Sequence, residues 1–117
     1  MDYVDLDVWK KSRSLVNEIY NLTKKFPKEE LFGLVSQMRR SAISVVSNIA
    51  EGIGRKFSKE TIHFLYISRD SLYELETQLY ISYDQVFCSK EDLDFLLEKI
   101  SDCKRLINGF IKYYGME

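Results

Sequence analysis

The stretch Gln37 to Arg55, QMRRSAISVVSNIAEGIGR, decides the fold of this chain. Its apolar residues recur at helical spacing, and it closes on a Gly-Ile-Gly sequence of the kind that commonly ends a helix. Arg40, Ser44, Asn48 and Glu51 step by four, four and three residues, so they share one face of that helix. Apolar stripes lie on both sides of this polar stripe. A helix with two apolar stripes needs more than one set of packing neighbours.

Two helices are predicted in the first half of the chain. The first spans roughly residues 6–25, with Asp5 or Asp7 as its N-cap. The second spans about 27–53 and begins at Pro27, a residue suited to the first helical position. Gly33 within it predicts a close approach of a neighbouring helix. The main apolar stripe of this helix consists of Leu31, Leu34, Met38, Ala42, Val45 and Ile49, beside a second stripe of Ile43, Val46, Ala50 and Ile53.

The second half of the chain predicts two longer helices. One follows Ser58 as N-cap and continues to about residue 87; the other follows Ser89 and ends near Gly115. Ser89 and Asp92 have the spacing of a capping box. The expected core residues of the third helix are Ile62, Leu65, Leu72, Leu75, Leu79 and Val86. A column of aromatic residues on the same helix, which fits packing on a neighbouring helix, subunit contacts or base stacking, consists of Tyr66, Tyr73, Tyr80 and Phe87.

Short links between four helices force neighbours to be antiparallel. The predicted fold is therefore an all-α, antiparallel, up-down-up-down four-helix bundle that forms one domain over residues 1–117. One proline and five glycines in 117 residues agree with long uninterrupted helices. The surplus apolar surface on the second and third helices predicts a homo-oligomer.

The amino-acid composition of the chain limits the functions and the cellular location that can be expected for it. A formal net charge of −1 gives no overall attraction to nucleic acid, so any such binding must come from local basic patches. Cys88 and Cys103 lack the spacing of a zinc site and are expected to be buried, reduced thiols. We recognise no signal peptide and no run of apolar residues long enough to span a membrane. The expectation is a cytoplasmic protein without a membrane partner.

The motif between Gln37 and Arg55 resembles the signature of the bacterial four-helix bundle proteins encoded by intervening sequences in large-subunit ribosomal RNA. A second stretch, FLYISRDSLYELETQL from Phe64 to Leu79, is similar to that family's second motif, and Leu6, Trp9 and Arg13 fit its first helix. The resemblance covers nearly the whole chain. Here serine stands at positions 41 and 68, where the family more often has alanine.

This resemblance implies a ring-like pentamer of antiparallel bundles. It also implies a relation to the accessory variability determinant of diversity-generating retroelements, a branch that binds nucleic acid and a reverse transcriptase through a basic surface. The intervening-sequence proteins themselves have no established activity, so a nucleic-acid role comes by analogy of fold.

Basic residues supply the candidate nucleic-acid contacts. Around the predicted start of the third helix they surround unpaired backbone N–H groups, which attract anions. A further basic patch, Lys24, Lys25 and Lys28, lies at the turn between the first two helices. The predicted phosphate-binding residues are Arg39, Arg40, Arg55, Lys56 and Lys59.

A second polar set is predicted to form ion pairs and hydrogen bonds between helices or subunits. Its members are Arg40, Asn48, Glu51, Arg69, Glu74, Glu76 and Gln78. Catalysis is not expected, because His63 is the one histidine of the chain and paired carboxylates lack an acid–base partner. Glu60 and His63 match half of a di-iron motif, whereas such a site needs two motifs and two further glutamates. No metal or cofactor is predicted.

The functional expectation is a non-enzymatic, homo-oligomeric bundle that binds nucleic acid, with structured RNA ahead of DNA. Two alternatives remain open at this point. One is a protein-interaction scaffold for a partner such as a reverse transcriptase or another nucleic-acid enzyme. The other is a structural or selfish-element passenger without a function for its host.

Overall fold

Four helices form an antiparallel bundle in the computed structural model of the chain, which describes residues 2–116. They are α1 (Asp7–Thr23), α2 (Ser36–Ile53), α3 (Ser58–Asp84) and α4 (Lys90–Gly115). The helices pack in the cyclic order α1, α2, α3, α4, with α1 also against α4. The bundle is 46 Å long and 21–24 Å across. The all-α, up-down-up-down prediction is confirmed.

One continuous apolar core fills the space between the four helices. Its fully buried large side chains are Leu15, Ile19, Met38, Ile49, Leu65, Leu72, Leu75, Leu79, Ile100 and Ile107. Two residues predicted for the core, Leu31 and Val86, are exposed instead. Ile62, also predicted for the core, is partly exposed and lies on the outer side of α3. Small polar side chains lie in the core where they can form hydrogen bonds to the backbone. For example, Ser68 Oγ donates a 2.6 Å hydrogen bond to the carbonyl oxygen of Val45. Such bonds let hydroxyls be buried without the cost of an unpaired polar group.

The predicted second helix is broken near its start. A 3-10 turn (Lys28–Glu30) and a π-helical turn (Leu31–Val35) precede α2, and the dihedral angles of Gly33 leave the helical region (φ −111°, ψ −111°). A Cβ on Gly33 would meet the Glu30 side chain rather than another helix, so the predicted close helix approach is wrong at this position. The kink turns Phe32 outward, where 92% of its surface is exposed.

The close approach occurs instead at Gly52 in the last turn of α2. A Cβ there would lie 2.9 Å from Phe64 Cβ and 3.1 Å from the carbonyl oxygen of Thr61, both on α3. Thr61 Oγ1 donates a 2.8 Å hydrogen bond to the carbonyl oxygen of Gly52. Glycine therefore allows the two helices to touch beside their connection.

Helix ends confirm some predicted caps and correct others. Ser89 and Asp92 form the predicted capping box at the start of α4, with Asp92 N–H donating to Ser89 Oγ at 3.0 Å. The predicted cap at Asp5 or Asp7 is wrong, because α1 follows Leu6, which has no side-chain bond to the helix end. Ser58 is the first residue of α3 rather than its cap, so that boundary is one residue off.

The α3–α4 connection contains a strained residue. Val86 has φ +62°, in the left-handed region, and stands where a helix C-terminus usually has glycine. The N–H groups of Val86 and Phe87 reach back to the carbonyls of Tyr83 and Ser82, both at 2.9 Å. A β-branched residue in this conformation costs about 1–2 kcal/mol. Val86 is 85% exposed, so burial of its side chain offsets little of that cost.

Val86→Gly is therefore expected to raise the free energy of unfolding by about 1 kcal/mol. Urea denaturation followed by circular dichroism measures the change. Val86→Ala is the matched control, because it shortens the side chain but keeps the Cβ that causes the strain. Equal stability of the glycine and alanine variants would contradict the strain at this turn.

Candidate nucleic-acid interface

The connection between α2 and α3 gathers three exposed cations within five residues. Arg55, Lys56 and Lys59 all have solvent-exposed side chains. Arg55 Nη2 forms a 3.0 Å ion pair with Glu51 Oε2, one turn earlier on α2. We call Arg55, Lys56 and Lys59 the basic turn. Its cations lie at the surface, where a phosphate can reach them without displacing core side chains.

Two cations of the basic turn lie over aromatic rings. The Arg55 guanidinium carbon lies 4.6 Å from the centroid of the Phe64 ring, and Lys56 Nζ lies 5.5 Å from that of Phe57. These distances are those of cation–π contacts, which hold a flexible side chain over a ring at little energetic cost. Phe57 is among the exposed aromatics, so the basic turn presents apolar rings beside its charges.

An open recess of about 650 Å³ lies beside the basic turn on the outer side of α3. Arg55 and Lys59 supply cations to its lining, and Glu60 supplies a carboxylate. The remaining lining residues are Ile62, His63, Phe64 and Tyr66. This mixture of cations and ring faces suits a ligand that has both negative charge and flat apolar surface.

Two further recesses continue from the first, one after the other. One, on the outer side of α2, shares Arg55 with the recess on α3 and is also lined by Ser47, Ala50, Glu51 and Gly54. The other lies between α1 and α2 and shares Ser47 and Ala50 with it. Arg13 lines this third recess, its guanidinium carbon 5.5 Å from the centre of the Trp9 side chain.

Arg39 and Arg40 do not join the basic turn within one protomer. They lie in the first turns of α2, whereas Arg55 follows its last turn. Fifteen residues at 1.5 Å per residue separate Arg40 from Arg55 by roughly 22 Å along the helix. Arg39 Nε donates to Thr23 Oγ1 at 3.0 Å, and its guanidinium carbon lies 4.4 Å from the Tyr20 ring centroid. Arg39 therefore connects α2 to α1, while Arg40 is exposed.

The predicted polar set makes contacts both within helices and between helices. Asn48 Nδ2 donates to the Ser44 carbonyl at 2.8 Å, and a 2.8 Å bond between the hydroxyls of Ser71 and Ser44 joins α3 to α2. Glu76 pairs with Lys104 of α4 at 2.9 Å. Among residues 2–116, none of the ion pairs joins two members of the set.

Two members of the polar set bury atoms without hydrogen-bond partners in the described part of the chain. Arg69 Nη1 donates to Asn108 Oδ1 of α4 at 2.8 Å, but Arg69 Nε is buried and unpartnered. Gln78 Oε1 is also buried and unpartnered. Gln78 and the exposed Glu74 line a separate recess at the junction of α2 and α3. These residues lie away from the basic turn.

The aromatic column on α3 faces outward and towards α4. Tyr66, Tyr73 and Tyr80 are each about half exposed, so packing on a neighbouring helix covers only part of each ring. Arg69 lies 4.7 Å from the Tyr66 ring centroid and Lys104 Nζ 4.9 Å from that of Tyr73. Phe87, the last member, is packed 5.4 Å from Phe26. Only Tyr66 belongs to the recess beside the basic turn.

Both cysteines are buried free thiols, as predicted. Burial raises the pKa of Cys103. The hydroxyl oxygen of Ser12 lies 3.8 Å from the sulfur atom of Cys103. Burial, with a smaller contribution from the charge of Asp92, raises the pKa of Cys88. A raised pKa keeps the thiol protonated, so neither sulfur has the character of a nucleophile.

The described residues, 2–116, contain no group of three or more His, Cys, Asp or Glu side chains placed to hold a metal ion. No helix within that range has both the length and the apolar content to cross a bilayer.

Comparison with known proteins assigns the family. The family model described as 23S rRNA-intervening sequence protein matches residues 4–109. The chain belongs to this family. A crystal structure of a protein with unknown function from the S23 ribosomal protein family of Bacteroides thetaiotaomicron has the same fold, with a TM-score of 0.83 over 90% of this chain and 98% of that one. The two sequences are 24% identical. No curated protein matches the chain.

Membership of the intervening-sequence protein family confirms the resemblance carried by the motifs of α2 and α3. The aromatic partners of the basic turn could not be predicted in the same way. Phe64 is nine residues from Arg55, and only the tight crossing at Gly52 brings the two side chains together. The Arg13–Trp9 contact could have been predicted from the sequence, because residues four apart share a helix face.

Proposed function

We propose that this protein is a non-enzymatic, homo-oligomeric bundle that binds nucleic acid, structured RNA in particular, with the basic turn contacting phosphates. The observation that carries the proposal is the grouping of Arg55, Lys56 and Lys59, all exposed, in a molecule whose net charge is −1. The family description, which refers to intervening sequences of 23S rRNA, supports RNA as the ligand. Arg40 is a secondary candidate contact near the opposite end of the bundle.

Assembly strengthens this mode of binding. We propose a ring-like homo-oligomer, a pentamer by family resemblance, in which several basic turns act on one nucleic acid. Repeated weak phosphate contacts on one assembly raise the overall affinity without any new contact type. The free, buried thiols suit the reducing cytoplasm, where we place the protein.

The triple variant Arg55→Glu, Lys56→Glu, Lys59→Glu tests the proposal. We expect its affinity for a labelled RNA hairpin to fall by at least about tenfold, because each lost phosphate contact removes counterion release. The slope of log affinity against log salt should become shallower by about 0.9 for each lost contact. Fluorescence anisotropy over a series of salt concentrations measures both quantities.

The matched control reverses three lysines at the other end of the molecule, Lys24, Lys25 and Lys28. It changes the net charge by the same amount and leaves the basic turn intact. Equal losses in the two variants would show that binding follows total charge. Wild-type affinity in the basic-turn variant would refute the site.

The second candidate function is a scaffold for a protein partner, such as a reverse transcriptase or another nucleic-acid enzyme. Exposed apolar residues at the α1–α2 end favour it, above all Phe32 in the kink and Val86 in the α3–α4 connection. Absence of RNA binding by the wild type at low salt would put this alternative first.

A further inference from the structure

We propose that the three adjoining recesses form one track for a single-stranded segment of nucleic acid, which runs from Trp9 and Arg13 across the end of α2 to Lys59 and Tyr66. This inference rests on the proposed nucleic-acid function and adds the class of ligand and its path. The track goes well beyond the basic turn, because it includes cationic and aromatic residues of α1.

Continuity of the track follows from shared lining residues. The recess on α3 and the recess on α2 both include Arg55, and the recess between α1 and α2 shares Ser47 and Ala50 with its neighbour. The middle part of the path is lined by Ser47, Ala50 and Gly54, which are small, and by the Glu51–Arg55 ion pair. A flexible single strand can follow this path from α1 across α2 to α3.

Cations and aromatic rings alternate along the track. Arg13 lies over Trp9 at the α1 side, Arg55 lies over Phe64 in the middle, and Lys59 shares the last recess with Tyr66. Proteins that bind single strands combine backbone-tracking cations with rings on which bases stack. Duplexes hide their base faces in the helix stack, so this alternation favours unpaired nucleotides.

Two carboxylates on the track repel the phosphates of a nucleic-acid ligand. Glu51 pairs with Arg55 at 3.0 Å, and Glu60 lines the last recess. Glu51 competes with a phosphate for the same guanidinium, so removing its charge should free Arg55 for the ligand. Glu51→Gln is therefore expected to bind a single strand severalfold more tightly, a gain that loss of folding cannot imitate.

The test uses oligouridine and oligodeoxyuridine of one length, and the duplex of each with its adenine complement. Trp9 is the one tryptophan of the chain, so quenching of its fluorescence reports a ligand at the α1 side of the track. We expect the single strands to quench it and to bind more tightly than the duplexes. The two sugars separate RNA from DNA as the preferred source of the strand.

Two substitutions outside the basic turn localise the path. Arg13→Gln should lower the salt slope for single strands by about 0.7, the effect of one phosphate contact. Tyr66→Leu should lower affinity about fivefold or more at an unchanged slope, as expected for the loss of one stacked base. Arg105→Gln on α4 and Tyr80→Leu at the far end of α3 are the matched controls, and circular dichroism verifies the fold of every variant.

The outcomes separate this inference from the proposed function. Unchanged single-strand affinity in both Arg13→Gln and Tyr66→Leu, with duplexes bound as tightly as single strands, would overturn the track and leave the basic turn as the site. Loss of single-strand binding in the Arg55, Lys56, Lys59 variant alone would likewise overturn the track and leave the basic turn. No binding of any probe by the wild type would refute both.

Discussion

Leu72→Ala is expected to lower the free energy of unfolding by about 2–5 kcal/mol. Leu72 is fully buried near the middle of α3, one turn beyond Ser68, whose hydroxyl is fixed to the Val45 carbonyl of α2. Removing three carbons there costs their transfer from water and leaves a cavity that helices held on several sides cannot close. The change should appear as a lower urea midpoint at nearly constant m-value.

Ile43→Ala is the comparison for Leu72→Ala, because it removes a similar number of carbons from a side chain that is 41% exposed. Its cost should be well below that of Leu72→Ala. If the two variants lose equal stability, the core does not lie where the structure places it, or Ile43 is buried in an assembly. Repeating the Ile43→Ala measurement over a range of protein concentrations separates these two causes, because only an assembly makes stability depend on concentration.

Gly52→Ala is expected to be about 1–3 kcal/mol less stable than Gly109→Ala. Both substitutions bring a gain in helix propensity, about 1 kcal/mol in a helix interior, so most of that gain cancels in the comparison. A Cβ at position 52 would lie 2.9 Å from Phe64 Cβ, whereas a Cβ at position 109 would meet no atom within 4 Å. The difference therefore measures the packing cost of separating α2 from α3.

Gly109→Ala should itself be more stable than the wild type, so this pair of variants can report a gain in stability as well as a loss. Thermal and urea unfolding of the three proteins provide the comparison. A Gly52→Ala variant as stable as Gly109→Ala would show that the helix crossing can open at no cost. Since Phe64 holds Arg55 in the cation–π contact, a shifted crossing should also weaken the RNA binding that we propose for the basic turn.

Most of the fold could be predicted from hydrophobic spacing because the four helices are long, so each repeats its apolar pattern over several turns. Apart from the start of α2, which lies nine residues after the predicted start at Pro27, the helix ends lie within a few residues of the prediction. The Ser89–Asp92 capping box is a local signal that needs no tertiary context. The motifs of α2 and α3 were enough to place the chain in its family.

The kink before α2 could not be predicted, because the apolar spacing runs through Leu31 and Leu34 as if the helix were continuous. The sequence places Gly33 inside the helical pattern and Gly52 at its end, so it assigns the close helix approach to Gly33. The packing shows the reverse: Gly33 accommodates non-helical backbone, and Gly52 faces another helix. The core prediction fails at Val86 for a related reason, since the pattern does not show where a helix stops when valine occupies the position usual for glycine.

The sequence shows which charged residues belong to the candidate site, but it does not show which side chains surround them in the fold. Arg55, Lys56 and Lys59 are close in sequence, so their grouping is evident. Arg39 and Arg40 join the prediction by charge alone, and the structure places them near the other end of α2, with Arg39 engaged by Tyr20 and Thr23 of α1. The contribution of Trp9 and Arg13 depends on how α1 packs against α2, which no local pattern encodes.

The two buried thiols give the molecule internal reporters of its own breathing motions. Cys88 lies in the α3–α4 connection, and Cys103 lies in the interior of α4 beside Ser12 of α1. Cys103 is 1% exposed and Cys88 9% exposed, and burial raises the pKa of both, so a thiol reagent should react faster with each when the surrounding structure opens. The modification rate of Cys88 therefore records fraying at one end of the bundle, and that of Cys103 records separation of α1 from α4. Both reporters are native, so local stability can be followed in this protein without an added label site.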